Sequence, residues 1–481
     1  MLKGDLFRRR RRCRLVRWLR LSSLFRSYPI LLAVIVSFSV FIYLQFLLIN
    51  YIFYYNFSKS NKTRLYPDRP LTLNVHSFNV CHPTQLNIEK LNRYYHKTFE
   101  REQQQQQQCI LIENLNGGQW WHYVSHEFAE ILTHLYSIGN QSNIIYRPLP
   151  KYSRIVLSTN FTQWFMTACG GDQLPLVVVL WDVNFKVWLT MKRQWHDITR
   201  KISFILFIDD LHYISDEMYQ NRQFILDNVQ EILSTYAYSI HNYYLNISLS
   251  KLTWFPHSAS SLVLHQTKSA INVTAQKMMF VSGANMQPWY PCRFRAFQLC
   301  MRKNLVACLR HPGYGLLANH SRSAHGERYS DYMKKYVFGL GTCQSVHYAV
   351  AKLFEIPSNG LVLITTKDME QILQQLGLIK NEHYLTINCT DLPILINEIK
   401  HIQTIPDDEL LTIRQNGQQV VHERHLTIHR AQLLHVRIVA HALLAYRKQK
   451  RQLSSRESND EEFESSSEFD DQDLWEWGRN C

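Results

Sequence analysis

Lys352 and Glu355 stand three residues apart in the segment HYAVAKLFEIPSNGLVLITT, which runs from His347 to Thr366. Residues at that spacing share one face of a helix. A carboxylate there can accept two hydroxyls of a sugar or ribose, while the neighbouring ammonium neutralises a diphosphate. The segment reads as a helix from about Cys343 to Phe354 that stops at Glu355–Ile356–Pro357. A Ser358–Asn359–Gly360 turn and an apolar strand from Leu361 to Thr365 come next. On that helix Val346, Val350 and Leu353 form one stripe, and Tyr348, Lys352 and Glu355 form the stripe opposite. An amphipathic helix with a solvated polar face has the same pattern. Two features favour a ligand: the tight turn into a buried strand, and the loop GLGTCQ (Gly339 to Gln344), whose free N–H groups suit a phosphate.

A second group lies in FILFIDDLHYIS, where Asp209, Asp210 and His212 follow a short apolar run. A carboxylate or imidazole at the carboxyl end of a strand can take or orient the proton of a hydroxyl nucleophile. Asp210 and His212 are therefore the catalytic candidates. An Asp-Asp pair also serves as a helix cap, a loop acid or a metal-binding pair, but the strict Asp-x-Asp spacing is absent. His257, in LTWFPHSAS, reads as structural.

These residues need a scaffold of α/β type. SRIVLST (Ser153–Thr159), LPLVVVLWD (Leu174–Asp182) and ISFILFIDD (Ile202–Asp210) are nearly unbroken apolar runs, as buried parallel strands require. WHYVSHEFAEILTHLYSIG and SDEMYQNRQFILDNVQEILSTY (Ser215–Tyr236) repeat apolar residues at three and four and predict helices. The alternation predicts a doubly wound domain over 109–265. A second domain over 266–450 opens with the strand KMMFVSGAN and the helix FRAFQLCMRKNL. It continues with the strand LVACLRHPG and the helix and strand of SDYMKKYVFGLGTC, and closes with long helices after Leu410. Two such domains facing across a cleft place ligands outside the carboxyl ends of their strands.

The rest of the chain sets the context. Net charge is +14, yet residues 1–26 carry ten cations against Asp5 and residues 457–481 carry ten acids against Arg479, so the ends cancel. The charge left between them is spread thinly, which argues against a nucleic-acid partner. Ile30 to Phe53 holds 24 residues without a charge, long enough for a transmembrane signal anchor. The basic tail, 1–29, then stays cytoplasmic by the positive-inside rule and the remainder faces a lumen, as a single-pass type II protein of the Golgi or endoplasmic reticulum. Eight N-x-S/T sequons and nine of ten cysteines fall on that side. Residues 54–108, with six consecutive glutamines, read as a stem, and 451–481 as an acidic disordered tail.

YMKKYVFGLGTCQSVHYAVAKLFEIPSNGLVLITT, with HLTIHR downstream, resembles the C-terminal domain of glycosyltransferases of the two-Rossmann-domain (GT-B) architecture. The resemblance is to the spore-maturation-protein-like glycosyltransferases and, more distantly, to the exostosins. Lys352, Glu355, Gly360, the His425–Thr427 segment and Arg430 match, with Lys352 in place of the more usual Arg and Leu426 interrupting the His-Thr pair. FVSGANMQPWYPCRFRAFQL resembles the family's first strand of the second domain, with Gly283 in the turn and Tyr290, Pro291 and Arg293 after it. The resemblance spans Leu252 to His435. It implies transfer of a sugar from a nucleotide-sugar donor to a glycan, protein or lipid acceptor, with no cofactor and no metal. By that resemblance Glu355 binds donor hydroxyls, Arg293 and Lys352 neutralise the diphosphate, and Gly283, Tyr348 and Gly360 complete the donor site. The other class that fits is a catalytically silent scaffold or lectin-like membrane protein on the same fold. A sulfotransferase lacks its phosphate loop here, and a Ser-His-Asp hydrolase its G-x-S-x-G.

Overall fold

Short, mostly apolar strands build two all-parallel sheets. In the first, β1 (Ile110–Ile112), β2 (Tyr146–Pro148), β3 (Val177–Trp181), β4 (Ser203–Ile208), β5 (Glu231–Ser234) and β6 (Leu252–Trp254) lie in the order β2-β1-β3-β4-β5-β6. In the second, β7 (Gln276–Gly283), β8 (Val306–Arg310), β9 (Tyr336–Leu340), β10 (Val362–Thr365) and β11 (Tyr384–Thr386) lie in the order β11-β10-β9-β7-β8. Every residue of β3, β4 and β10 is buried, as expected of parallel strands with both faces covered. The computed structural model describes residues 45, 85–100, 109–113, 126–150, 160–171, 173–181, 192, 194–208, 223–236, 247–261, 271–285, 287, 290–300, 305–310, 327–342 and 349–457. The chain divides into two units, Met1–Thr72 and Leu73–Cys481, and both sheets belong to the second.

Seven helices carry or brace the residues of interest: α1 (Gln85–Glu100), α2 (His126–Gln141), α3 (Pro291–Gln298), α4 (Glu327–Met333), α5 (Lys352–Ser358), α6 (Asp407–Arg424) and α7 (Thr427–Glu457). α2 buries Phe128, Ile131, Leu132 and Leu135, a helical stripe, against the first sheet. The second core gathers Met279, Val281, Phe338, Leu340, Val362 and Ile364 from the strands with Cys292 and Ala296 of α3.

Four expectations change. Residues 85–100, within the expected stem, form α1, and its Ile88, Leu91 and Tyr95 join the first core. Expected as one helix, Ser215–Tyr236 holds a helical stretch at 223–228 and then β5; Glu231 enters the sheet because partners 200 residues away neutralise it. Although α7 follows the second domain in sequence, its Ala431, Leu434, Val439 and Leu443 belong to the first core. The helix bearing Lys352 also starts and ends later than expected, since residues 349–351 are not helical. α5 runs through Pro357 to Ser358, where Gly417 of the facing α6 leaves room, and stops at Gly360 with φ +73°.

Apart from Gln45, the expected anchor Ile30–Phe53 lies outside the described residues, as do the expected strand Ser153–Thr159, the glutamine run and the expected disordered tail 451–481 from 458 on; its residues 451–457 are instead the end of α7. Among the described residues no helix is long and apolar enough to cross a membrane.

Candidate functional site

In each sheet the first strand lies between the second and the third, so the chain's winding reverses direction there, and ligands of doubly wound sheets bind outside the carboxyl ends at such a point. In the second sheet the reversal falls between β7 and β9. Arg293 spans it. Its Nη1 donates to Ala284 O just past β7 and its Nη2 to Thr342 O just past β9, both at 3.1 Å. α3 delivers this side chain because Pro291 suits the first helical turn and Cys292 is bonded to Cys389. The guanidinium also stacks on Tyr290, 4.1 Å from the ring centre.

Gly283 closes β7 with φ +97°, a conformation open to glycine. A Cβ there would stand 2.9 Å from Lys352 Cε and 3.1 Å from Arg293 Nη1. Gly283, Arg293 and Lys352, widely separated in sequence, thus share one spot. The Lys352 ammonium donates to the Tyr329 hydroxyl at 2.9 Å and lies 3.7 Å from Glu355 Oε2. Burial opposes its charge, but Tyr329 and Glu355 outweigh it and raise the Lys352 pKa above the usual lysine value, with Arg293 pulling the other way. Two cations thus stand together while, among the described residues, only Lys352 is paired with a carboxylate, Glu355, which keeps about a third of its side chain exposed. An added anion completes the charge balance.

Buried polar groups without a partner gather at the same edge. Arg293 Nε on α3 and the hydroxyls of Thr342, just past β9, and of Thr365 and Thr366, at the end of β10, are all four unsatisfied. Such groups are rare in folded interiors.

Gly360, also expected at the site, serves its own turn: its N–H reaches Pro357 O, its carbonyl accepts from Arg414 Nε, and a Cβ would meet Ile271 at 3.0 Å. Tyr348, Asp210 and His212 lie outside the described residues, so no geometry joins them to the cluster. His425, Thr427 and Arg430 are fully buried where the chain crosses between domains, with Leu426 half-buried between them. There Ala259 pairs with Leu426, Arg430 donates to the carbonyls of Pro256 and His257, and Thr427 donates to Glu130. His425 donates from Nε2 to Leu376 O and packs at a tilt on Phe354 of α5, with ring centres 5.0 Å apart. Burial pulls the Arg430 pKa down to about 10, with Glu127 opposing. His257 is structural, holding Glu127 at 2.8 Å.

Sequence reasoning missed three residues. Tyr329 and Ser282 join Lys352 only through space, and no periodicity marks them. Glu113, buried just past β1, occupies the first sheet's own reversal, where its carboxylate accepts from Trp181 N at 2.6 Å. Its three-residue strand is too short to stand out.

No protein-family model matches the chain, and no curated protein does. Among solved structures it is similar to Anabaena HepE in complex with UDP-glucose, at 10% identity and TM-score 0.45, covering 72% of this chain and 99% of that one. It is also similar to the N-terminal domain of Candida albicans trehalose-6-phosphate phosphatase, at 10% identity and TM-score 0.45, covering 70% and 97%. A third is an α-glucosyltransferase in complex with UDP and a 13-mer DNA, at 9% identity and TM-score 0.43, covering 66% and 95%. At such identity and overlap these are likenesses of layout only.

Proposed function

We propose that the second domain binds the diphosphate of a nucleotide-sugar and that the protein transfers the sugar to a hydroxyl of a glycan, protein or lipid acceptor. The observation that carries this is the meeting of Arg293 and Lys352 at Gly283, on the winding reversal of the second sheet, with Glu355 beside Lys352. As the bond from the sugar's anomeric carbon to the phosphate oxygen breaks, negative charge grows on the leaving diphosphate. Fixed cations stabilise that charge more than the ground state and so lower the barrier. In this reading Arg293 and Lys352 supply the positive charge without a metal, Glu355 accepts donor hydroxyls, and Gly283 lets the phosphates approach the backbone. Tyr348 and Gly360 belong to the donor side, and Asp210 or His212 takes the acceptor's proton.

A secretory-pathway lumen is the compartment we assign, with residues 30–53 as a single-pass anchor. Three disulfides, Cys109–Cys169, Cys292–Cys389 and Cys300–Cys308, support it, because such bonds persist in oxidising compartments.

The test is a melting screen of the full-length protein against nucleoside diphosphates and nucleotide-sugars, followed by turnover assays. A ligand at 100 times its dissociation constant should stabilise the fold by about 2.7 kcal/mol. Glu355→Ala should abolish transfer while keeping the unliganded melting temperature. If no such ligand shifts the wild type, the proposal fails. A shift without turnover on any acceptor selects the silent scaffold instead.

A further inference from the structure

We infer that Tyr329, backed by Ser282, is the positioning residue that holds the Lys352 ammonium where a diphosphate binds and keeps it from collapsing onto Glu355. The inference rests on the diphosphate reading of the site. Lysine carries its charge on a flexible four-carbon stem, so an ammonium that must meet a ligand needs something to place it. Among the described residues the Lys352 ammonium has two partners that can accept from it: the Tyr329 hydroxyl at 2.9 Å and the Glu355 carboxylate at 3.7 Å.

An ammonium only donates, so the Tyr329 oxygen accepts from it. The same hydroxyl shares a hydrogen bond, in which either oxygen can donate, with Ser282 Oγ, 2.6 Å away and buried beside Gly283. Lys352, Tyr329 and Ser282 thus form a chain from α5 through α4 to the end of β7. Its frame is rigid, because Ser330, the next residue of α4, donates to Asn359, and Asn359 donates to Glu355 O within the last turn of α5. The Tyr329 ring adds a second hold, lying 5.0 Å from the ammonium and packing on Phe280.

Without the hydroxyl, the closest partner left to the ammonium is Glu355. A lysine drawn into that pair loses the diphosphate and occupies the carboxylate assigned to the donor's hydroxyls. Tyr329→Phe deletes only the hydroxyl and keeps the ring.

The experiment compares full-length wild type, Tyr329→Phe and Ser282→Ala by titration calorimetry. The probes are the nucleoside diphosphate that best stabilises the wild type and its parent nucleoside, measured from pH 7 to pH 10.5. We expect Tyr329→Phe to weaken the diphosphate about tenfold, the scale of one hydrogen bond to a charged group, while nucleoside affinity stays unchanged. The alkaline loss of diphosphate affinity should move to lower pH, since Tyr329 helps keep Lys352 protonated. Ser282→Ala should act in the same direction and more weakly, and in turnover assays KM should rise more than kcat. Diphosphate affinity within twofold of wild type across the pH range overturns the inference, and so does an equal loss for diphosphate and nucleoside, which marks a merely structural role. Should Tyr329→Phe fail to fold, Ser282→Ala decides by the same criteria. If the wild type binds no nucleoside diphosphate, it is the diphosphate reading itself that has failed.

Discussion

Gly283 and Lys352 touch: the space a Cβ would need on Gly283 is filled to within 2.9 Å by Lys352 Cε, at a backbone φ of +97°. A side chain there is strained by its conformation and displaces the lysine as well. Gly283→Ala should cost about 1–2 kcal/mol in urea unfolding from the left-handed backbone alone. It should also remove the thermal shift produced by nucleoside diphosphates. An alanine variant that keeps both the unfolding midpoint and the ligand shift would show that this contact does not matter.

The clamp that joins α7 to the first sheet is a buried ion pair. Glu231 accepts from Arg437 Nε at 2.6 Å and from His441 Nε2 at 2.7 Å, and Thr253 and Ser203 complete the network through Glu231 and His441. Burial opposes the carboxylate's charge, but Arg437 and His441 outweigh it and hold the pKa at about 2 against a usual 4.5. Arg437→Met removes the guanidinium from a fully buried carboxylate and leaves it only His441 and Thr253, and should cost about 3–5 kcal/mol in equilibrium unfolding. The wild-type contribution is present above pH 4.5 and lost only as pH falls towards 2.

Two histidines give a milder acid sensitivity. Burial lowers the pKa of His435 to about 4, and burial with the nearby Arg430 does the same for His429, from 6.5 in each case. His435 donates to Asn92 and accepts from Tyr146, contacts that suit a neutral ring. Because the folded state disfavours their protons, stability should be full above pH 6.5 and decline as pH drops towards 4. Urea midpoints at pH 7.5 and pH 5 check this. Substituting both residues by Gln should reduce the difference, the remainder coming from His383 and His422, whose protons burial also disfavours, and an unaltered difference would assign it to other groups.

Disulfides brace both domains. Cys109–Cys169 closes 60 residues of the first, and Cys292–Cys389 closes 97 of the second while anchoring the helix that carries Arg293. Replacing Cys292 and Cys389 by Ser should cost about 2–5 kcal/mol and weaken diphosphate binding together. Peptide mapping without reductant should recover all three pairs, Cys300–Cys308 included.

The sequence by itself determined the kind of element at most of the places that matter. Unbroken apolar runs such as VVVLW and SFILFI became buried parallel strands, because a strand covered on both faces leaves no position for polar residues. KMMFVSGAN became β7, and the stripe opposing Leu353 to Lys352 and Glu355 survived in α5, where Leu353 is fully buried and Glu355 is partly exposed. Gly283, Arg293 and Lys352 were nameable as candidates one at a time.

Only the tertiary structure decided that they meet. Periodicity records that a residue is buried but not what buries it, so strand order was invisible. With β7 lying between β8 and β9, Arg293 reaches carbonyls past both β7 and β9, and Lys352 lands on Gly283. For the same reason Glu231 read as part of a helix until Arg437 and His441 arrived from α7 to neutralise it in a strand. The hydroxyls of Tyr329 and Ser282 hold the site's lysine through contacts 23 and 47 residues apart. Interactions of that range are set by how the helices pack on a finished sheet, and no local pattern encodes them.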